Sequence, residues 1–269
     1  MPDLPLEIHG RIAAFVSSPH SLVKYLLTSK WIFPEVERQL YRSIHIQTSR
    51  LSIVSGLLRG FLDNPSRSPS TIELSITISS HLILSPDDTY RLASALATMT
   101  NLIALHLAVN ELEISSLKHE NFPFKLQKFS FSADPYEQLD CIPLKDLLVS
   151  QPSIRHLDVA IFTFPDPLPP DTIPNLETLR GPASLGQALL PGRPVERLHW
   201  AAPGYASYFI SERPYLSLQV LKLDTTPKEF QLARMCPNLL YLEFQVYHSV
   251  SQKRLLEFHL LNTNRVRWT

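Results

Sequence analysis

Apolar residues in this chain follow two rhythms. Over the first 46 residues they recur at steps of three and four: Leu4, Ile8, Ile12 and Phe15 with Val16 lie on one stripe of a helix. Pro5 stands in its first turn, where no amide donor is needed; Glu7 suits the positive helix start, and Ser17-Ser18-Pro19 marks the end. A second helix is predicted from near Ser21, carrying Leu22, Val23, Leu26 and Leu27 and ending around Thr28-Ser29-Lys30. A third starts at Pro34 with Glu35 and Glu37 in its opening turns and Phe33, Val36 and Leu40 aligned, before LYRSIHI turns to strand-like alternation.

Beyond residue 100 one phrase returns: NLIALHL, KLQKFSF, SIRHLDV, NLETLRG, PVERLHW, SLQVLKL and NLLYLEF. Its first apolar positions are Leu102, Leu126, Ile154, Leu176, Val195, Leu218 and Leu239, so the steps are 24, 28, 22, 19, 23 and 21. A weaker copy, STIELSITI, lies around Leu74 and Ile76, and the tail RVRWT reads as a last strand. The intervening stretches predict helices: SPDDTYRLASALATM, with Ser85 as cap and Pro86 in the first turn, then TPKEFQLARM and SQKRLLEFHLL. Strand and helix in alternation predict an α/β fold, a parallel sheet with helices over one side. Proline punctuates the joins in QPSI, IPNL and CPNL, and uneven loops are expected around FPDPLPPDTIPN and LLPGRPVE. A repeat of this length is that of leucine-rich repeats rather than of helical or propeller repeats.

With 44% hydrophobic and 19% charged residues, the chain buries a core rather than remaining disordered. Lys plus Arg equals Asp plus Glu at 25 each, so no long-range field draws nucleic acid or an anionic membrane to it. Two cysteines, Cys141 and Cys236, are too few for a disulfide framework or a zinc site, which favours an intracellular, reducing compartment, cytoplasm or nucleus. Asp3 and Glu7 stand where a secretory signal would carry basic charge, and no apolar run reaches the roughly 18 residues of a membrane-spanning helix.

The opening resembles an F-box. LPLEI, a following isoleucine, a leucine-rich second helix, TSKW and the closing LYRSI are similar to that motif over residues 3 to 46, the ending being like that of F-box proteins of fungi. Trp31 follows Lys30 directly, where many members carry another residue between. The resemblance implies two domains: a three-helix F-box over 1–46 and a leucine-rich-repeat solenoid, a curved parallel sheet with helices on its convex side, over 47–269. It implies that Leu4, Pro5, Ile8, Ile12, Leu22, Leu26 and Leu40 dock a Skp-type adaptor, and through it a cullin scaffold. Some 45 residues of short helix bury too little apolar area to stand alone, so their leftover face needs either this chain or another protein. On the bland reading the helices merely cap the solenoid.

Leucine-rich repeats commonly place an asparagine three residues past the last apolar position. Asn110 and Asp134 fill that place, whereas Phe162, Ser184, Pro203, Thr226 and Tyr247 do not, so an irregular solenoid is expected. Strand alternation turns the residues between inward leucines to the open side. The middle column reads Ser75, His106, Ser130, Asp158, Arg180, His199, Lys222 and Glu243, and flanking positions add Glu73, Lys128, His156, Arg197, Asp224, Tyr241 and Gln245. This mixed face is the expected surface for a protein target, with Arg180, Arg197, His199 and Lys222 as a basic run suited to an acidic or phosphorylated segment, unless the neighbouring Asp158, Asp224 and Glu243 neutralise it.

Enzyme chemistry finds little support. His106, Ser130 and Asp158 are hydrolase-triad residue types, but serine stands in the middle where histidine is needed, and no Gly-x-Ser-x-Gly turn occurs. No phosphate-binding glycine loop, HExxH or calcium loop is found, and the 10 histidines show no ligand spacing, so neither cofactor nor metal is expected. Cys141 reads as a small buried hydrophobe rather than a nucleophile. The sequence therefore predicts a non-enzymatic target-recognition subunit of a Skp, cullin and F-box ubiquitin ligase, or else a protein-interaction scaffold outside any ligase.

Overall fold

Buried and open positions alternate with a period of two along the strands of the computed structural model, which describes residues 5–16, 18–28, 30–79, 82–109, 122–132, 142–160, 168–169, 171–200, 214–223, 236–248 and 252–259. Chain contacts group into two compact units, residues 1–126 and 127–269. The fold is α/β in both.

The first unit begins with α1 (Leu6–Phe15), α2 (Pro19–Leu26), a 3-10 turn (Lys30–Ile32) and α3 (Phe33–Arg42). Helix α2 starts two residues before the expected Ser21, because Pro19 occupies its first turn and the Ser18 hydroxyl accepts the Ser21 amide. Ala13, Leu22, Ile32 and Val36 form a small core, with Val16, Tyr25, Leu26 and Leu40 packed around it.

Helix α3 runs directly into β1 (Ser43–Thr48), followed by α4 (Leu51–Asp63), a 3-10 turn (Ser68–Ser70), β2 (Glu73–Ile78), α5 (Pro86–Thr98) and β3 (Ala104–Ala108). The three strands are parallel, Ile44, Leu74 and Leu105 standing level across them. The weak copy STIELSITI is thus a full strand. As expected, Ser85 caps α5: its hydroxyl accepts the Asp88 amide, while the Asp88 carboxylate accepts from the hydroxyls of Ser85 and of Ser55 in α4, both at 2.9 Å. Arg67 ties the second 3-10 turn to α3. Its Nε donates to Glu37 at 2.9 Å, and its guanidinium lies 5.0 Å from the Tyr41 ring centre.

The second unit contains β4 (Lys128–Ser132), α6 (Ile142–Ser150), β5 (His156–Ala160), β6 (Thr178–Gly181), α7 (Ala183–Leu189), β7 (Arg197–Trp200), β8 (Val220–Leu223), β9 (Tyr241–His248) and β10 (Gln252–His259). Strands β4 to β9 are parallel and paired in chain order. The carbonyl one residue before one strand accepts two amides from the next repeat: Arg155 from Glu177 and Thr178, Glu177 from Glu196 and Arg197, Glu196 from Gln219 and Val220. Phe129, Phe131, Leu157, Val159, Leu179, Leu198, Leu221 and Leu223 point inward and are buried.

Two features depart from the sequence expectation. Gln252–His259, within the stretch SQKRLLEFHLL expected as a helix, form β10, antiparallel to β9. The free edge of β9 offers a row of backbone donors and acceptors, and pairing with them outweighs the helical spacing of the segment. Helix α7 is not announced by any apolar rhythm. It closes down on the sheet because two glycines permit it: a Cβ on Gly181 would stand 2.8 Å from the Leu185 side chain of α7, and one on Gly186 would stand 2.6 Å from the Trp200 indole nitrogen.

Arg193, buried just beyond α7, acts as a clamp. Its Nε donates to the Thr172 carbonyl at 2.8 Å, and its terminal nitrogens donate to the carbonyls of Pro169, Ala188, Leu189 and Pro191. The cation thereby satisfies the open C-terminal end of α7 and holds the turn at Thr172–Ile173. Among the described residues, no helix is long and apolar enough to cross a membrane.

Candidate functional site

The apolar stripe of α1 divides: Ile8 and Ile12 are partly open at 37% and 40%, Phe15 is open at 89%, and Val16 turns to the small core with Ala13. Small residues explain the choice of side. Gly10 lets α1 approach α3 so closely that a Cβ there would lie 3.1 Å from a Glu35 carboxylate oxygen, and Ala13 adds only a methyl. The His9 ring nitrogen shares a 2.6 Å hydrogen bond with the Tyr25 hydroxyl, joining α1 to α2. The bulky branched residues are left on the outer side.

The expected docking residues therefore divide. Pro5, Ile8 and Ile12 are exposed, and Leu26 and Leu40 are half-buried against the helical core. Leu22, at 6% exposure, is a core residue and presents no surface. Its neighbours on α2 turn out instead, since one helix side must fill the space between α1 and α3. Leu4 lies outside the described residues. Further exposed apolar side chains were not in the expected set: Val23, Leu27 at 79%, Trp31 at 83% and Phe33. Their signal was present, as all four lie in or beside the apolar stretches of the first 40 residues.

On the sheet, the register places the expected middle column as one row within each unit. His45, Ser75 and His106 stand level in the first. In the second the row is Ser130, Asp158, Arg180, His199, Lys222 and Glu243, with Lys128, His156, Thr178, Arg197, Val220 and Tyr241 beside it. All of these are open or half-open except Glu243, which is 7% exposed.

Charge on this face is largely self-compensated. Arg180 and Asp158 approach to 3.4 Å, and Lys222 Nζ lies 2.6 Å from Glu243, whose carboxylate also accepts from the Tyr241 hydroxyl at 3.1 Å. Burial alone would push the Glu243 carboxyl up. The hydrogen bond and charge of Lys222 outweigh it, with smaller help from Tyr241 and His199, and hold it below the usual carboxylate range. The basic run is thus not a set of four equal groups: Lys222 is neutralised, Arg180 is half-engaged, and Arg197 makes no ion pair among the described residues. Asp224 lies outside the described residues, as do the side chain of Gln245 and the whole of Asn110, Asp134 and Cys141.

Two asparagines do tie neighbouring repeats, at the entrance to the strands rather than past them. Asn101 and Asn238 each donate at 2.7 Å to a carbonyl of the preceding repeat, that of Pro69 and of Leu216. Both open the phrase NLxxL, which was its visible sign. Ser130 and Asp158 stand side by side with Asp158 held by Arg180, and His106 belongs to the first unit, so the triad residue types are not gathered as a triad within either unit. Among the described residues, no group of His, Cys, Asp or Glu could hold a metal ion. Compared with known proteins, the chain matches no family model and no curated protein.

Proposed function

We propose that this protein is the target-recognition subunit of a Skp, cullin and F-box type ubiquitin ligase. Residues 1–46 are read as an F-box whose outer apolar face docks the Skp-type adaptor, and residues 47–269 as a leucine-rich-repeat solenoid that holds a protein target. The observation that carries this reading is the outward stripe Ile8, Ile12 and Phe15 on a helix whose other side already fills its own small core. The order LPLEI, TSKW and LYRSI and the returning phrase of apolar, two residues, apolar, one residue and apolar supply the family likeness. On this reading the chain does no bond chemistry. It raises the effective concentration of a target lysine near a ubiquitin-loaded enzyme elsewhere on the scaffold.

The competing reading, a scaffold outside any ligase with the helices as a cap, requires the α1 stripe to be covered by the chain itself. Co-expression of the intact chain with a Skp-type adaptor, followed by affinity purification, separates the two. Recovery of a stoichiometric pair supports the ligase subunit, and a chain that purifies without the adaptor rules it out.

A further inference from the structure

The sheet face of the second unit carries an asymmetry in its charge. Toward β8 and β9 the cation Lys222 is held by the buried Glu243, so that end is closed to outside anions. Toward β4 to β7 the balance is different. Lys128, His156 and Arg197 occupy one row on β4, β5 and β7, and no carboxylate among the described residues pairs with any of them. Arg180, two residues beyond the row's Thr178 on β6, meets Asp158 at a long 3.4 Å, the side chains being exposed at 51% and 38%. Such a pair is worth little in water and its partner is readily exchanged.

Among the described residues, the remaining carboxylates nearby do not quench this row. Glu177 is engaged with Arg155 at 3.0 Å, and Glu196 stands before the first residue of β7, outside the two rows. Strands lie about 4.8 Å apart, so the row from β4 to β7 spans roughly 14 Å. An extended peptide returns a side chain to the same face every ~7 Å and would set two or three acidic groups over it.

We infer that this face, centred on Arg180 and Arg197 with Lys128 and His156 at its flank, binds an extended segment rich in aspartate or glutamate. An incoming carboxylate replaces Asp158 at the Arg180 guanidinium and a second one meets Arg197, a planar fork suited to carboxylate geometry. Asp158 remains beside the site. The two guanidinium forks suit singly charged carboxylates, and a phosphoserine segment is the alternative source of negative charge that the test separates. The inference rests on reading this face as the target surface, and it is independent of the adaptor: its test contains no adaptor, so its failure leaves the docking reading standing.

The test is fluorescence anisotropy of the full chain with a labelled Glu/Ser peptide, its Gln/Ser counterpart and its phosphoserine counterpart, at low and at physiological salt. The Glu/Ser peptide is expected to bind, more weakly as salt rises, and the Gln/Ser peptide not to bind. Arg180→Gln with Arg197→Gln, both at exposed positions, should weaken binding about tenfold or more, whereas Lys222→Gln should change it by less than about twofold. Arg197→Glu should lose the Glu/Ser peptide and gain a Lys/Ser one, a readout that a misfolded variant cannot give. Equal binding of the Glu and Gln peptides, binding of the phosphoserine peptide alone, or equal losses in the Lys222 and arginine variants would each overturn the inference.

Discussion

Lys222 Nζ lies 2.6 Å from the Glu243 carboxylate, across two neighbouring strands and 21 residues apart in the chain. Glu243 has its carboxyl held below the usual range in the folded state. The bond therefore contributes above the unfolded carboxyl's titration and is lost as pH falls through the folded one. Glu243→Gln is expected to cost about 1 kcal/mol near neutral pH and to flatten the acid limb of stability. Urea unfolding between ~pH 3 and ~pH 7 measures this, and parallel pH profiles for the two proteins would refute it.

Arg193 supplies a second test. This buried guanidinium bonds to carbonyls and has no counter-charge among the described residues, and burial lowers its pKa from the ordinary arginine value. Removing it takes a donor from the last carbonyls of α7 and from that of Thr172, while the Pro169 carbonyl keeps the Thr172 amide. Arg193→Ala should cost about 3 kcal/mol or more, and Arg193→Lys should recover only part, because an ammonium lacks the planar fork. Denaturant midpoints of the two variants check the order, and a lysine variant as stable as the parent would contradict it.

Glycines separate cleanly by their surroundings. Gly181→Ala drives a methyl against the Val159 carbonyl and should destabilise by about 1–3 kcal/mol. Gly56 lies inside α4, and a methyl added to it would meet nothing within 4 Å, so Gly56→Ala should stabilise by about 0.5–1 kcal/mol. Thermal unfolding of both variants reads the opposite signs.

Cys236 is buried, and its thiol is pushed up to about 12 by that burial. It should resist N-ethylmaleimide in the native protein and react promptly in urea, which peptide mapping by mass spectrometry resolves at that residue.

Strand positions were readable because a period of two needs no partner to be seen: Leu105 and Leu107 flank His106, and Leu157 and Val159 flank Asp158. What required the folded chain was any relationship between distant segments. The burial of Glu243 depends on a cross-strand neighbour 21 residues away. The segment from Ser251 carries helical spacing, yet β10 follows the free edge of β9, which local pattern does not reveal. On α1 the stripe was visible but its direction was not. Gly10 and Ala13 decide that, by allowing α3 to approach their side of the helix and leaving Ile8 and Ile12 outside.

That direction is tested most directly by isothermal titration of a Skp-type adaptor into the intact chain and into the Ile8→Asp, Ile12→Asp variant. Both residues are partly exposed, at 37% and 40%, and equal circular dichroism of variant and parent shows that the variant keeps the fold. Losing two buried isoleucines from the interface, at about 1.5 kcal/mol or more each, should weaken adaptor binding about a hundredfold or abolish it. Absence of binding by the parent chain, or equal affinity for parent and variant, would contradict docking through this face.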